Sequence, residues 1–204
     1  MNTLSADFFQ QDPVTCARAL VGCLVISGEC AGRIVETEAY SAENDDACHT
    51  ATRPSARAFI AAHPPGAAYV YLNYGVHWML NTLVKPTGTP HGFVLIRALE
   101  PLQGIPLMAR RRKAARKTPP PKNDTRWLCS GPGRLAAALA IRQSHHGTDL
   151  CNPDAPLRFA PRPASSPAPG ILASPRIGIT RATDLAWRFT EKDSPFVSVP
   201  ARGK

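Results

Sequence analysis

The stretch Arg33-Ile34-Val35-Glu36-Thr37-Glu38-Ala39-Tyr40 decides how the rest of the chain is read. It is rich in β-branched and aromatic residues and follows a short apolar run, 23–26, and a Ser27-Gly28 turn signal. Residues 31–40 therefore read as the second strand of a hairpin. Side chains alternate along a strand, so Glu36, Glu38 and Tyr40 share one face while Val35, Thr37 and Ala39 share the other. Two same-face carboxylates about 7 Å apart beside an aromatic ring suit acid–base chemistry. An edge strand that presents its charges to solvent has the same pattern, and spacing alone leaves both readings open.

Working outward, Asp12-Pro13 supplies a capping carboxylate and a first-turn proline for a short helix. Val14, Ala17, Leu20 and Val21 fall on one face of it, and Gly22 stops it. Extended runs at 67–73 and 76–84 flank Tyr74-Gly75 and predict a second hairpin with Tyr74 at its tip; 92–99 reads as a buried strand. Helices are expected over 103–117 and 132–142, the second opened by Ser130-Gly131-Pro132. Residues 152–175, above all 161–175, read as a proline-rich loop ahead of a short strand at 176–180. The expected fold class is α+β: a single domain over 1–204 with a central, curved, antiparallel or mixed sheet flanked by short helices.

Composition narrows the function. Proline contributes 21 of 204 residues, about double the usual share of about 5%, which excludes a bundle of long helices. The net charge is +9, and residues 97–146 alone hold eleven Lys and Arg against Glu100 and Asp124. That segment carries the whole excess and points to a polyanionic partner, although a solvated basic surface has the same composition. The six cysteines include no Cys-x-x-Cys, and no paired histidine spacing accompanies them, so no zinc site and no metal are expected. No leader-like segment and no run of 18 apolar residues is present, so the expectation is a reduced, intracellular chain that meets no membrane. Tyr69, Tyr71, Tyr74, His77 and Trp78 crowd the second hairpin. A tip tyrosine buries little on a monomer's exterior, but on DNA it can wedge between bases.

These stretches in one order carry a resemblance. Arg-Ile-Val-Glu-Thr-Glu-Ala-Tyr at 33–40, His49 nine residues beyond Tyr40, Tyr-Val-Tyr-Leu-Asn-Tyr-Gly at 69–75 and Leu-Ile-Arg-Ala-Leu-Glu-Pro at 95–101 begin it. Leu-Cys-Ser-Gly-Pro-Gly at 128–133, Arg-Ile-Gly-Ile at 176–179 and Ser-Pro-Phe-Val-Ser-Val at 194–199 complete it. The chain resembles the alkyladenine (3-methyladenine) DNA glycosylases, which hydrolyse the N-glycosidic bond of alkylated or deaminated purines in duplex DNA. The resemblance implies Glu38 as the base that activates water, with Arg97 and the backbone carbonyl of Ile177 helping to hold that water. Arg97 beside Glu38 is expected to keep the carboxylate ionised. Tyr40, His49, Tyr71, Asn81 and Leu95 become the base pocket, and electron-rich rings there favour cationic purines. Asn81 matches the position that collides with the amino group of guanine, and Tyr74 of the protruding hairpin matches the intercalating residue.

Arg110, Arg111, Lys113, Gly131 and Arg134 are the expected DNA-backbone contacts. No lysine falls on the matched catalytic positions, which implies a monofunctional glycosylase without a Schiff-base step. The absence of His-x-Glu with Pro-Cys-x-x-Cys excludes a zinc nucleobase deaminase. The expected partner is double-stranded DNA containing damaged purines, met by a monomer without a cofactor, in the cytoplasm and nucleoid or in a nucleus. The segment 53–59, Arg-Pro-Ser-Ala-Arg-Ala-Phe, departs from the family's usual Arg-Asn-Arg or Lys-Arg-Asn, and Asn73 stands where an apolar residue is common. A basic nucleic-acid-binding protein without turnover, or an RNA-binding module, is the alternative.

Overall fold

The computed structural model describes residues 2–113 and 124–200. Asp12 caps α1 (Pro13–Leu20): its Oδ1 accepts from the Val14 and Thr15 amides at 3.0 Å, with Pro13 at the first helical position. Strands β1 (Leu24–Ser27) and β2 (Cys30–Ser41) form the expected hairpin. Then come α2 (His49–Thr52), α3 (Pro54–Ala62), β3 (Ala68–Asn73), β4 (His77–Val84) and β5 (Gly92–Gln103). The chain continues through α4 (Ile105–Lys113), α5 (Arg126–Cys129), α6 (Pro132–Ala138), β6 (Leu157–Ala160), β7 (Ile171–Ser174) and β8 (Arg188–Glu191).

The strands join in one sheet of order β3-β4-β5-β2-β1-β6, with β8 paired to β2 and to β7. Every pairing among the described strands is antiparallel, so the mixed alternative falls away. β2 lies at the centre: β5 runs along one edge, while β1 and then β8 share the other. The edge-strand reading of the acidic stretch is thereby overturned. Register shifts flank Glu36, where Val35 on β2 and Arg97 on β5 each lack a direct partner across the β2–β5 ladder. Such bulges raise local twist and bend a sheet, giving the curved antiparallel sheet with short helices around it.

One face packs Phe9, Leu20, Ile34, Leu80, Ile96, Leu99, Leu135 and Phe159 into the main core. A second cluster, Ala56, Phe59, Tyr69, Leu83 and Phe93, lies under α3. Other expectations need correction. No strand forms at 176–180; β6 and β7 instead lie inside the stretch read as the 152–175 loop, and β8 was not anticipated. Residues near 176 are fixed by side chains rather than by ladder bonds, as shown below. The helix expected over 132–142 ends at Ala138, because Ala140 takes φ +56° and the Ile141 amide closes back on the Ala136 carbonyl at 2.8 Å. That closure usually uses glycine, so no stop signal was visible. Of the helix expected over 103–117, the part beyond Lys113 lies outside the described residues. Among those described, no helix is long and apolar enough to cross a membrane.

Candidate active site

Tyr69, Asn81, Leu95, Glu38 and Arg188 stand directly opposite one another in a row across β3, β4, β5, β2 and β8. Opposed residues project to the same face, so this row is the floor on which the site is built. A cavity of about 600 Å³ opens over it, lined among others by Tyr40, His49, Tyr71, Asn81, Leu95, Arg97 and Ile177. The sheet, with His49 from α2, thus brings together all the expected pocket residues around one cavity. Tyr74 and Asn73 also line the cavity, which places the tip of the β3–β4 hairpin at its mouth. Tyr74 (φ +49°) and Gly75 (φ +69°) make the turn, and Tyr74 is 89% exposed.

Glu38 is fully buried just behind this wall. Its Oε1 accepts from the Ile177 amide at 2.7 Å; its Oε2 accepts from the Tyr40 hydroxyl at 2.8 Å and from Arg97 Nη1 at 3.2 Å. All three partners line the cavity. The backbone group of Ile177 that meets Glu38 is its N–H; the resemblance gives the carbonyl a different task, holding the water. Burial pushes the Glu38 carboxyl above its ordinary value, and Arg97, the Ile177 amide and Tyr40 pull it only part of the way back. Arg97 acts in the expected direction, favouring the ionised form, while desolvation is the larger effect and the net shift is upward.

Arg97 sits at the bulge in β5, from which its fork reaches both Glu38 and Glu36 at 3.2 Å. Ile177 is positioned by its neighbour Arg176, whose guanidinium grips buried Asp45 at 2.6 and 2.7 Å and donates to the Ala39 carbonyl at 2.9 Å. The same guanidinium lies 4.6 Å from the Tyr40 ring centre and 5.3 Å from that of Trp187. This is what replaces the strand expected at 176–180.

The rings pack closely. His49 meets Tyr71 edge-on at 4.4 Å, and its Nδ1 lies 3.1 Å from the Tyr69 hydroxyl. Burial, helped by Arg53, pushes His49 down to about 4, so the imidazole is neutral near pH 7. Arg53 stands 5.4 Å from the Tyr71 ring centre. Tyr40 and Tyr71 thus already carry one guanidinium each, which blunts their attraction for a further cation. Asn81 is held by its Nδ2, which donates to the Tyr69 carbonyl at 3.1 Å.

The basic residues divide. Arg110, Lys113 and Arg134 are exposed on α4 and α6. Arg111 turns inward, donating to the Ala138 carbonyl at 2.9 Å with Cys30 Sγ at 3.5 Å, so it ties α4 to α6 and is withdrawn from the candidate DNA contacts. Gly131, φ +142°, is buried at the start of α6, and Pro132 beside it reaches the cavity. Sequence reasoning missed the roles of Arg53, Asp45 and Arg176. Arg176 belonged to a quoted motif, but its pairing with a carboxylate 131 residues away left no local signal.

The family profile described as Methylpurine-DNA glycosylase (MPG) matches residues 7–195. A relative from Nitrosospira multiformis is 42% identical over 194 residues, covering 95% of this chain and 93% of its own. One from Chlorobaculum parvum is 41% identical over 208 residues, covering 100% of this chain and 94% of its own. A third, from Granulibacter bethesdensis, is 43% identical over 194 residues, covering 94% and 86%. All three bear the name "Putative 3-methyladenine DNA glycosylase". A match over nearly the whole length, which takes in every residue of the cavity wall, means that the chain belongs to the methylpurine-DNA glycosylase family.

Proposed function

We propose that this DNA glycosylase extrudes alkylated or deaminated purines from duplex DNA and hydrolyses their N-glycosidic bond, with Glu38 as general base. The class includes 3-methyladenine, 7-methylguanine, hypoxanthine and ethenoadenine. The observation that carries the reading is the Glu38 carboxylate, buried behind an aromatic cavity and held by three groups that line it. Tyr40, His49 and Tyr71 stack on the flipped base, and Asn81 meets its purine edge. Tyr74 fills the gap left in the duplex. Because two rings already carry guanidinia, selection rests on stacking and fit more than on base charge, which accommodates neutral hypoxanthine beside cationic 3-methyladenine.

As the C1′–N bond breaks, its electron pair leaves with the purine, and the Glu38 carboxylate stabilises the positive charge that develops on the sugar. The water oxygen then bonds to C1′ and gives its proton to Glu38, which passes it to solvent or to a purine that left as an anion. Glu38 has no accessible surface, so one of its donors must yield before water reaches it. Tyr40, whose ring lines the cavity and whose hydroxyl covers Oε2, is the donor that a stacked base displaces. Arg97 and Ile177 keep the carboxylate aimed. Among the described residues no lysine lines the cavity, which supports a monofunctional hydrolysis.

The test is release of abasic sites from duplex carrying hypoxanthine or ethenoadenine. Wild type cleaves; Glu38→Gln still binds the lesion duplex, with excision down about 10²- to 10⁴-fold. Full activity in that variant overturns the mechanism, and no abasic sites from any damaged purine overturns the activity.

A further inference from the structure

Glu36 touches neither the cavity nor solvent, yet its carboxylate accepts four hydrogen bonds. Its Oε1 accepts from Arg97 Nε at 3.2 Å, Arg188 Nε at 2.7 Å and Ser198 Oγ at 2.8 Å; its Oε2 accepts from the Ser198 amide at 2.5 Å. Four donors around two oxygens suit an acceptor-only carboxylate. Arg97 is shared evenly, 3.2 Å to Glu36 from Nε and 3.2 Å to Glu38 from Nη1. The other donors come from β8 and from the C-terminal segment. That segment is pinned by Arg188 to the Val199 carbonyl and by Ser130 Oγ to the Phe196 carbonyl at 2.8 Å.

We propose that Glu36 is a positioning residue that competes with Glu38 for Arg97, and that Ser198 of the C-terminal segment sets the terms of that competition. The proposal rests on the reading of Glu38 as the base. Donors that satisfy Glu36 free Arg97 to favour Glu38; donors withdrawn from Glu36 draw Arg97 away. Among the described residues, the charged and titratable groups facing Glu38 are Arg97 from β5, Glu36 and Tyr40 from β2, Arg188 opposite on β8, Tyr71 from β3 and Arg176 from the loop after β7. Only Glu36 among them repels Glu38 as a like carboxylate while sharing its cation, and this repulsion acts in the direction that raises Glu38.

The experiment follows single-turnover excision of hypoxanthine against pH, together with a ¹³C titration of the Glu38 side chain in the folded, DNA-free protein. Glu36→Gln keeps the size and an oxygen acceptor but removes the charge. The Glu38 titration and the acid limb of the rate are expected to move down together by about one pH unit. Ser198→Ala removes one donor from Glu36 and leaves the carboxylates in place; both readouts are expected to move up, by a smaller amount. The opposite signs separate competition for Arg97 from loss of packing, which lowers the rate or the Tm and leaves the titration where it was. An unmoved Glu38 titration in Ser198→Ala, or in a folded Glu36→Gln, overturns the proposal. Failure of the base reading looks different: Glu38→Gln then excises normally, or the acid limb ignores a Glu38 titration that does move.

Discussion

At Glu38 two opposed effects meet, and burial is the larger. An acid whose proton affinity is raised is a better proton acceptor, provided it starts ionised. Excision is therefore expected to fall on acidification along a limb above the ordinary carboxylate range, since the base is lost as pH drops through its raised value. His49, near 4, adds no limb between pH 5 and 8, and the pH profile of His49→Gln checks this by keeping the wild-type limb position. Asp45→Asn strips the carboxylate from a buried guanidinium and is expected to cost about 3–5 kcal/mol in denaturant unfolding. It also releases the loop that aims the Ile177 amide. Alternation along 33–40 was enough to put Glu36, Glu38 and Tyr40 on one face. Nothing local signalled that Arg176 would brace Tyr40 from behind, because that contact joins segments far apart in the chain.

At the scale of elements, the β3–β4 hairpin spends apolar surface on solvent: Tyr74 is 89% exposed and Val76 68%. Tyr74→Ala is expected to leave stability within about 0.5 kcal/mol while lowering excision from duplex, which thermal melts and single-turnover rates measure side by side. A destabilised variant with normal excision contradicts the wedge. The hairpin was legible because Tyr74-Gly75 interrupts two strand-like runs, and Gly75 adopts the positive φ that such a turn needs. β7 and β8 were not legible. Their four residues each are too short for periodicity to register, and they become strands because β2 offers an unpaired edge at Glu36–Glu38. The bulge that frees Arg97 was equally silent, since it belongs to the pairing of two strands and to neither alone.

Over the whole molecule, charge and burial set the response to solution conditions. With Arg111 turned inward, the exposed candidates for phosphate are Arg110, Lys113 and Arg134, joined by Arg53 and Arg181 at the cavity wall. If these five neutralise about five phosphates, the log–log slope of affinity against salt is expected to be roughly −4 to −5, and a nearly flat dependence rules the surface out. His49 also links pH to stability. Its native value near 4 lies below the 6.5 of an unperturbed imidazole, so the unfolded chain takes up the proton first. Its contribution is present above about 6.5 and is lost as pH falls toward 4, measurable as a drop in Tm that His49→Gln diminishes.

Alternation, turn chemistry and charge balance are local, additive properties, and they were sufficient for an α+β chain with an antiparallel or mixed sheet, an acidic strand, an aromatic hairpin and a basic segment. Which carboxylate faces the cavity wall, how far burial lifts it, and which arginines are spent on carbonyls and acids inside the molecule all depend on groups that meet only after folding. Desolvation and shared hydrogen bonds are properties of the assembled neighbourhood; strand order and register, which no single stretch encodes, decide them.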